Sequence, residues 1–259
     1  MNIFAAYKSM IMPISNNEIK RIKALQQKKF RDESGLFVVE GEKMVEEALK
    51  SGYSVENVYR REEIGQDAMG RISSLSSPSP VLAVVHKPED IYVDEAGALD
   101  SLFADGGLFL ALDTIRDPGN LGTILRIADW FGIKAVFAAK DTVDVFNPKV
   151  VQSTMGAVFR VKLHYVDILD VADMVLAKGG KVYGTFLDGE NMYDKQLETG
   201  NDSPVMVVIG NESEGISKAM ESKVSDKLYI PPYPADSPGS ESLNAAVATA
   251  ITIAEFRRR

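Results

Sequence analysis

Three polar, glycine-bearing segments carry the residues that could do chemistry: Asp117-Pro118-Gly119-Asn120-Leu121-Gly122, Gly210-Asn211-Glu212-Ser213-Glu214-Gly215 and Gly239-Ser240-Glu241-Ser242-Leu243-Asn244. Each follows a short apolar run that reads as a strand, and ligands of open α/β sheets bind in the crevice at the carboxyl ends of the strands. The chain has no cysteine and only two histidines, His86 and His164, which removes thiol nucleophiles, thiolate zinc sites and histidine-rich metal clusters from consideration. What remains is a set of Asn, Arg, Glu and Ser side chains. Such a set can grip anionic oxygens, orient a substrate and stabilise developing negative charge. It offers no metal and no imidazole base.

Each candidate also has a plain structural role. Arg126 stands three residues before Asp129, the spacing of a weak surface ion pair, or it is a cation near a helix entrance that grips a phosphate. Asp117-Pro118-Gly119-Asn120 is a turn followed by a cap. Glu212 lies two residues beyond Gly210, where glycine lets backbone approach a flat ligand. Ser242 is a natural N-cap, whereas Asn244 in the first turn has poor helix propensity and needs a reason. The helix it opens is rich in alanine, which permits close approach of another helix or subunit.

The elements that must position these residues alternate. In the second half, strands are expected at 108–112, 135–138, 159–163, 182–186, 205–209 and 227–230. Helices are expected at 120–131, 149–155, 168–177, 217–222 and 242–257. That pattern predicts βα units and a mostly parallel sheet. In the first half, Asn16-Asn17 offer a cap for one basic helix running to about Phe30, followed by strands at 36–40, 55–59 and 81–85 with helices between them, a small α/β domain. The stretch from 88 to 107 is acidic and loop-like. The boundary is placed after it, giving domains 1–105 and 106–259.

The 259 residues carry a net charge of −8, which weighs mildly against a nucleic-acid partner, yet residues 19–31 hold Lys20, Arg21, Lys23, Lys28, Lys29 and Arg31 with no acid. This run is either a solvated face or a nucleic-acid contact. No apolar stretch approaches the roughly 20 residues of a membrane span, so no membrane partner is expected, and a cytoplasmic location is the default.

Three stretches then resemble one family. Leu112-Asp113 through Asn120-Leu121-Gly122 to Arg126, Val208-Ile209-Gly210-Asn211-Glu212-Ser213-Glu214-Gly215-Ile216, and Ile230-Pro231 to Ser242-Leu243-Asn244-Ala245-Ala246 are similar to the three motifs of the SpoU/TrmH class of RNA ribose 2′-O-methyltransferases. They occur in order and at family spacing, over about residues 107–256. Asn147-Pro148-Lys149-Val150-Val151 also resembles this class. The first half, with its basic helix and Phe37-Val38-Val39-Glu40-Gly41, is similar to the ribosomal-protein-like substrate-binding domain of members acting on ribosomal RNA. One departure is the third loop, where residues 234–238 make it longer and richer in proline than the common version.

The resemblance implies a trefoil-knotted, mostly parallel α/β catalytic domain and a homodimer whose active site is completed across the interface. It implies S-adenosylmethionine as cofactor, touching Leu187, Gly210, Ile230 and Leu243, and no metal. RNA, most plausibly ribosomal, is the implied partner, through the basic residues of 19–31. Asn120 and Arg126 would position the ribose and its phosphate, Glu212 would orient one of them, and Ser242 with Asn244 would complete the pocket. A guanidinium pKa above about 12 makes Arg126 a stabiliser of charge rather than a proton acceptor, leaving a substrate phosphate or water for the proton. The alternatives are a tRNA enzyme of the same class and a non-catalytic RNA-binding relative, which would have no need of the whole set. A Rossmann-type small-molecule enzyme is disfavoured, because no G-x-G-x-x-G follows a predicted strand.

Overall fold

The computed structural model describes residues 14–234 and 242–258. They divide into two compact units: residues up to Pro88 with Phe146–Phe159, and Glu89–Val145 with the remainder from Arg160.

In the first unit, β1 (Leu36–Glu40), β2 (Val55–Arg60) and β3 (Val81–His86) form an antiparallel sheet in the order β1-β3-β2. Helices α1 (Asn16–Ala24), α2 (Lys28–Ser34), α3 (Glu42–Lys50), α4 (Arg61–Ile64) and α5 (Gln66–Ile72) flank it. Every residue of β1 is buried, so both faces of that strand are covered. On one face Ile19, Ile22 and Leu25 of the first helical segment pack with Val38, Val84, Met69 and Ile72. Each such fully buried side chain contributes about 1.5–3 kcal/mol. Glu40 closes β1 as a buried carboxylate that accepts from the Ser73 hydroxyl and from the backbone N–H groups of Ser74 and Ser79, at 3.1 and 3.2 Å.

The single basic helix expected up to Phe30 is two helices. Ser15, not Asn16 or Asn17, caps the first by accepting from Glu18 N–H at 3.1 Å. Gln27 is extended, and the Arg31 guanidinium donates to the carbonyls of Leu25 and Gln26, both at 2.9 Å. Arg31 is only 2 % exposed. It closes the inter-helix turn, which corrects the expectation that it faces RNA. One nitrogen of the guanidinium thus donates to both carbonyls that the end of α1 leaves without a partner.

The second unit is a six-stranded sheet, parallel throughout, in the order β6-β5-β4-β8-β7-β9: β4 (Gly107–Asp113), β5 (Val136–Ala138), β6 (Leu163–Tyr165), β7 (Lys181–Asn191), β8 (Pro204–Gly210) and β9 (Asp226–Tyr229). The central strands β4 and β8 are almost wholly buried, as expected of a parallel sheet covered on both faces. Phe109, Ala111, Met206 and Val208 pack against Val171, Ala172 and Val175 of α8 (Ile168–Ala177). By the pleat, Leu108, Leu110 and Leu112 face the other way. The remaining helices are α6 (Pro118–Trp130), α9 (Lys218–Glu221) and α10 (Ala245–Arg258), and α10 packs on α6; α7 (Pro148–Thr154) belongs with the first unit.

Three local differences from the sequence reading have physical causes. The acidic stretch after Pro88 is not an open loop and opens the second unit: short 3-10 turns at Glu89–Ile91 and Ala96–Phe103 bury Ala96, Leu99 and Phe103 in the core. The strand expected at 159–163 lies at Leu163–Tyr165, after a 3-10 turn at Ala157–Phe159. β7 continues past Phe186 to Asn191, with a break: Thr185 and Glu190 both pair with Leu228, so residues 186–189 project beyond the ladder.

Candidate active site

β4 and β8 are neighbours in register, Asp113 opposite Gly210. The chain leaves β4 toward β5 on one side and leaves β8 toward β9 on the other, so their carboxyl ends form the switch point at which open α/β sheets bind ligands. The loop after β8 turns back sharply. Asn211 and Gly215 exchange backbone hydrogen bonds at 2.9 and 3.0 Å, and a Cβ on Gly210 would sit 2.3 Å from the carbonyl carbon of Gly215. The Asn211 side chain works on both loops. Its oxygen accepts from the N–H groups of Ser213 and Glu214, at 2.9 and 3.0 Å, and its amide donates to the carbonyl of Thr114 at 2.7 Å. Thr114 itself takes a left-handed backbone conformation, φ 64°. Buried Asp113 accepts from Ser217 N–H at 2.7 Å and ties the end of the second loop to β4.

These turns aim Glu212 at the start of α6. Its carboxylate accepts from the N–H groups of Arg116 and Asp117, at 3.3 and 3.1 Å, and from the Asn120 amide at 3.0 Å. Desolvation alone would raise the Glu212 pKa. The donors, Asn120 first and then the backbone N–H groups, outweigh it and hold the carboxyl below its ordinary value. Asp117 caps α6 by accepting from Asn120 N–H at 2.7 Å, and a carboxylate there also meets the positive end of the helix dipole. The Asn120 oxygen accepts from the Asn244 amide at 2.8 Å. Asn244 in turn accepts from the N–H groups of Ala246 and Val247, at 2.9 and 3.3 Å, and is the cap of α10.

Asn120, Glu212 and Asn244, drawn from all three motifs, therefore form one hydrogen-bonded chain. Ser242 does not cap the last helix as expected; it is exposed two residues before the residue that does. Arg126 is exposed and makes no hydrogen bond or ion pair among the described residues. Six residues on from Asn120 it points about 120° away around the helix. Leu187 stands 70 % exposed in the projection from β7, Gly210 ends β8, Ile230 follows β9, and Leu243 is exposed beside Asn244. Residues 235–241, with most of the proline-rich stretch, lie outside the described residues. Asp113, Asn211, Asp117 and the backbone of Arg116 were not singled out from the sequence. The turn-and-cap pattern of Asp117-Pro118-Gly119-Asn120 is legible in sequence, and Asp117 is the residue that makes the cap.

On the first unit, Lys20 and Lys23 are exposed without an ion pair among the described residues. Arg21 is held by Glu18 and Glu56 at 2.6 and 3.0 Å, Lys28 by Asp32 at 2.6 Å, and Lys29 reaches Glu33 at 3.8 Å. The Lys28 and Lys29 pairs are exposed, worth little energy and open readily to a competing anion, whereas Arg21 is half-buried between its partners.

Residues 107–254 match the SpoU rRNA Methylase family, and residues 16–87 match the MRM3-like substrate binding domain. The chain belongs to the SpoU rRNA methylase family. It is 32 % identical, over 93 % of its length and 96 % of the relative's, to the 23S rRNA (guanosine(2553)-2′-O)-methyltransferase RlmP of Bacillus subtilis. Among solved structures it is similar to an AdoMet-bound rRNA methyltransferase from Sinorhizobium meliloti, with TM-score 0.82 and 28 % identity, covering 96 % of this chain and 97 % of that one. A TrmH-family protein from Porphyromonas gingivalis superposes with TM-score 0.81 at 36 % identity, over 95 % and 99 %.

Proposed function

We propose that this chain transfers a methyl group from S-adenosylmethionine to a ribose 2′-hydroxyl of ribosomal RNA. The observation that carries the reading is the Asn120–Glu212–Asn244 chain of hydrogen bonds at the carboxyl ends of β4 and β8. The 23S rRNA activity in the name of the Bacillus relative and the AdoMet-bound state of the Sinorhizobium structure support it. The match of the first unit to a substrate-binding domain favours ribosomal over transfer RNA.

The residues present fit the methyl donor. Gly210 ends β8 at the mouth of the switch point, and Leu187, Ile230 and Leu243 supply apolar side chains in the projection of β7, just beyond β9 and ahead of α10. When bound, S-adenosylmethionine supplies a sulfonium methyl, an electrophile that needs no metal activation. Asn120 has one amide N–H and one oxygen lone pair left after its bonds to Glu212 and Asn244, enough to hold a ribose hydroxyl by both its donor and its acceptor sides. Glu212, kept ionised by its donors, orients Asn120 and does not take the proton. Arg126 stabilises developing alkoxide charge. The proton passes to a substrate phosphate or to water.

We further propose a homodimer, which explains the solitary Arg126. Thr123, Arg126 and Trp130 form one exposed stripe on α6 at spacings of three and four, and Trp130 is 85 % exposed. A second copy seated on that stripe would bring Arg126 to an interface, beside a site that both chains complete. The trefoil knot belongs to the same reading, supported by a chain that leaves the sheet edge at β9 and returns to pack α10 on α6. Among the described residues no helix is long and apolar enough to cross a membrane, and we place the protein in the cytoplasm with its ribosomal substrate.

Labelled methyl donor supplied with ribosomal RNA, transfer RNA or no RNA tests the reaction. Label is expected on ribose of ribosomal RNA. Label confined to transfer RNA supports the tRNA alternative, and none in either leaves an RNA-binding relative. In the same assay Arg126→Lys, which keeps charge but loses the planar fork, is expected to lower transfer about 10²- to 10³-fold with donor binding intact. Unaltered turnover refutes the role of Arg126.

A further inference from the structure

Lys227 of β9 stands where three elements meet. Its ammonium lies 2.9 Å from Asp188 in the projection of β7, 2.6 Å from Glu221 on α9, and 4.7 Å from the centre of the Phe186 ring. Phe186 is pinned from the other side as well. Its ring occupies the space left by Gly184, where a Cβ would come within 2.5 Å of it and 3.0 Å of Ile216. Gly189 closes the projection against β9, where a Cβ would lie 2.7 Å from the Leu228 carbonyl carbon. Leu187 is thus carried between a clamped ring and a clamped carboxylate. It remains 70 % exposed.

The clamp has a second end. Ser217 caps α9, and its own N–H donates to Asp113 at the end of β4. A continuous line of contacts therefore runs from Asp113, through Ser217 and Glu221, to Lys227 and Asp188. It links the projection from β7 to the loop that carries Glu212. The ammonium holds the Asp188 carboxyl below its ordinary value.

We propose that Lys227 is a positioning residue for the methyl donor: by clamping Asp188 and Phe186 to α9 it holds Leu187 in place as a preformed apolar wall of the donor site. This rests on the reading that S-adenosylmethionine lies against Leu187. A wall fixed before binding spares the ordering cost of binding, so loosening it weakens affinity and leaves chemistry at saturation alone. An arginine can still span two carboxylates and stack on a ring, so Lys227→Arg should serve nearly as well.

Calorimetric titration of the purified chain with S-adenosylmethionine, beside steady-state transfer to ribosomal RNA, tests the proposal. Lys227→Ala is expected to weaken donor binding about five- to tenfold and to raise the donor KM to match, with kcat and RNA affinity unchanged. Asp188→Asn, which removes one arm only, should give a smaller loss, and Lys227→Arg should restore binding. Melting of the donor-free variants is measured alongside, and Asp188→Asn carries the test if Lys227→Ala fails to fold. Wild-type donor affinity in a folded Lys227→Ala or Asp188→Asn overturns the proposal and leaves the reaction standing. A wild-type chain that binds no donor, or a Leu187→Ala variant with unaltered affinity, overturns the reading beneath it and the proposal with it.

Discussion

Replacing Glu212 with alanine is expected to lower methyl transfer about 10²- to 10³-fold with little change in melting temperature. The two halves of that expectation have separate causes. Glu212 is exposed, so its removal empties no core and strands no buried charge. Its three donors are another matter. Without the carboxylate, the N–H groups of Arg116 and Asp117 turn to water, and the Asn120 amide loses the partner that orients it. A displacement of about 1 Å at a reacting centre costs on the order of 10²-fold, so orientation alone reaches the lower end of the range. Glu212→Gln keeps one acceptor and should fall between alanine and the wild type. Transfer within twofold of wild type in Glu212→Ala would remove the network from the mechanism.

The same carboxylate defines a pH expectation. Its folded pKa is depressed below the ordinary 4.5 by hydrogen bonds that outweigh desolvation. A depressed carboxyl contributes stability that is present above its unfolded pKa and is lost as the pH falls through the folded value. The network therefore stays intact across neutral pH and loosens only in acid below the usual carboxylate range.

Gly210→Ala is expected to damage more than the reaction. The added Cβ would run into the peptide group that joins Gly215 to Ile216: Gly215 C at 2.3 Å, Ile216 N at 2.4 Å and Gly215 O at 2.6 Å. None of these can swing away as a flexible side chain could. Relief requires opening the Asn211–Gly215 turn, which carries Glu212, Asn211 and the tie from Ser217 to Asp113. Overpacking of this kind costs about 1–3 kcal/mol. A lower melting temperature, loss of donor binding and loss of transfer should appear together, measured by calorimetry and by the labelled-methyl assay. Gly215→Ala is the informative contrast. Its Cβ meets nothing within 4 Å, and only a left-handed φ of 72° opposes it, so the milder cost of about 1–2 kcal/mol is expected. Equal behaviour of the two variants would show that close approach at Gly210 is not what the turn depends on.

Much of the catalytic unit is legible in the chain because parallel strands buried on both faces are continuous apolar runs. β4 and β8 stand out for that reason, and α6 shows its apolar face at spacings of three and four. The first unit is harder, because a charge run says nothing about where each charge goes. Arg31 looks like its neighbours in sequence and is the largest of the fully buried side chains among the described residues, bonded to the two carbonyls that the break between α1 and α2 leaves open. Acidic residues likewise mask the apolar positions Ala96, Leu99 and Phe103, so a packed segment reads as a loop.

At the site, Asn120 and Glu212 are recognisable as a set, yet nothing local says that they touch, since their bond joins residues 92 apart in sequence. Asn244 is the clearest case of what tertiary structure adds. Its poor helix propensity is resolved by two simultaneous duties, capping α10 with its oxygen and donating to Asn120 with its amide. A serine hydroxyl would have to do both with one oxygen, whereas the amide carries its acceptor and its donor on separate atoms. The projection at residues 186–189 is invisible in sequence because it comes from the register of β7 against β9.

In the proposed reaction the side chains of Asn120, Glu212 and Asn244 hold a ribose hydroxyl for methylation. Mapping of 2′-O-methyl groups across ribosomal and transfer RNA, in cells lacking this protein and in cells complemented with wild-type or Asn120→Ala chains, tests it most directly. Deletion is expected to erase a ribose methyl mark in ribosomal RNA, the wild-type chain to restore it, and Asn120→Ala, produced at equal level, to leave it missing. Unchanged ribose methylation on deletion, or full restoration by Asn120→Ala, would contradict it.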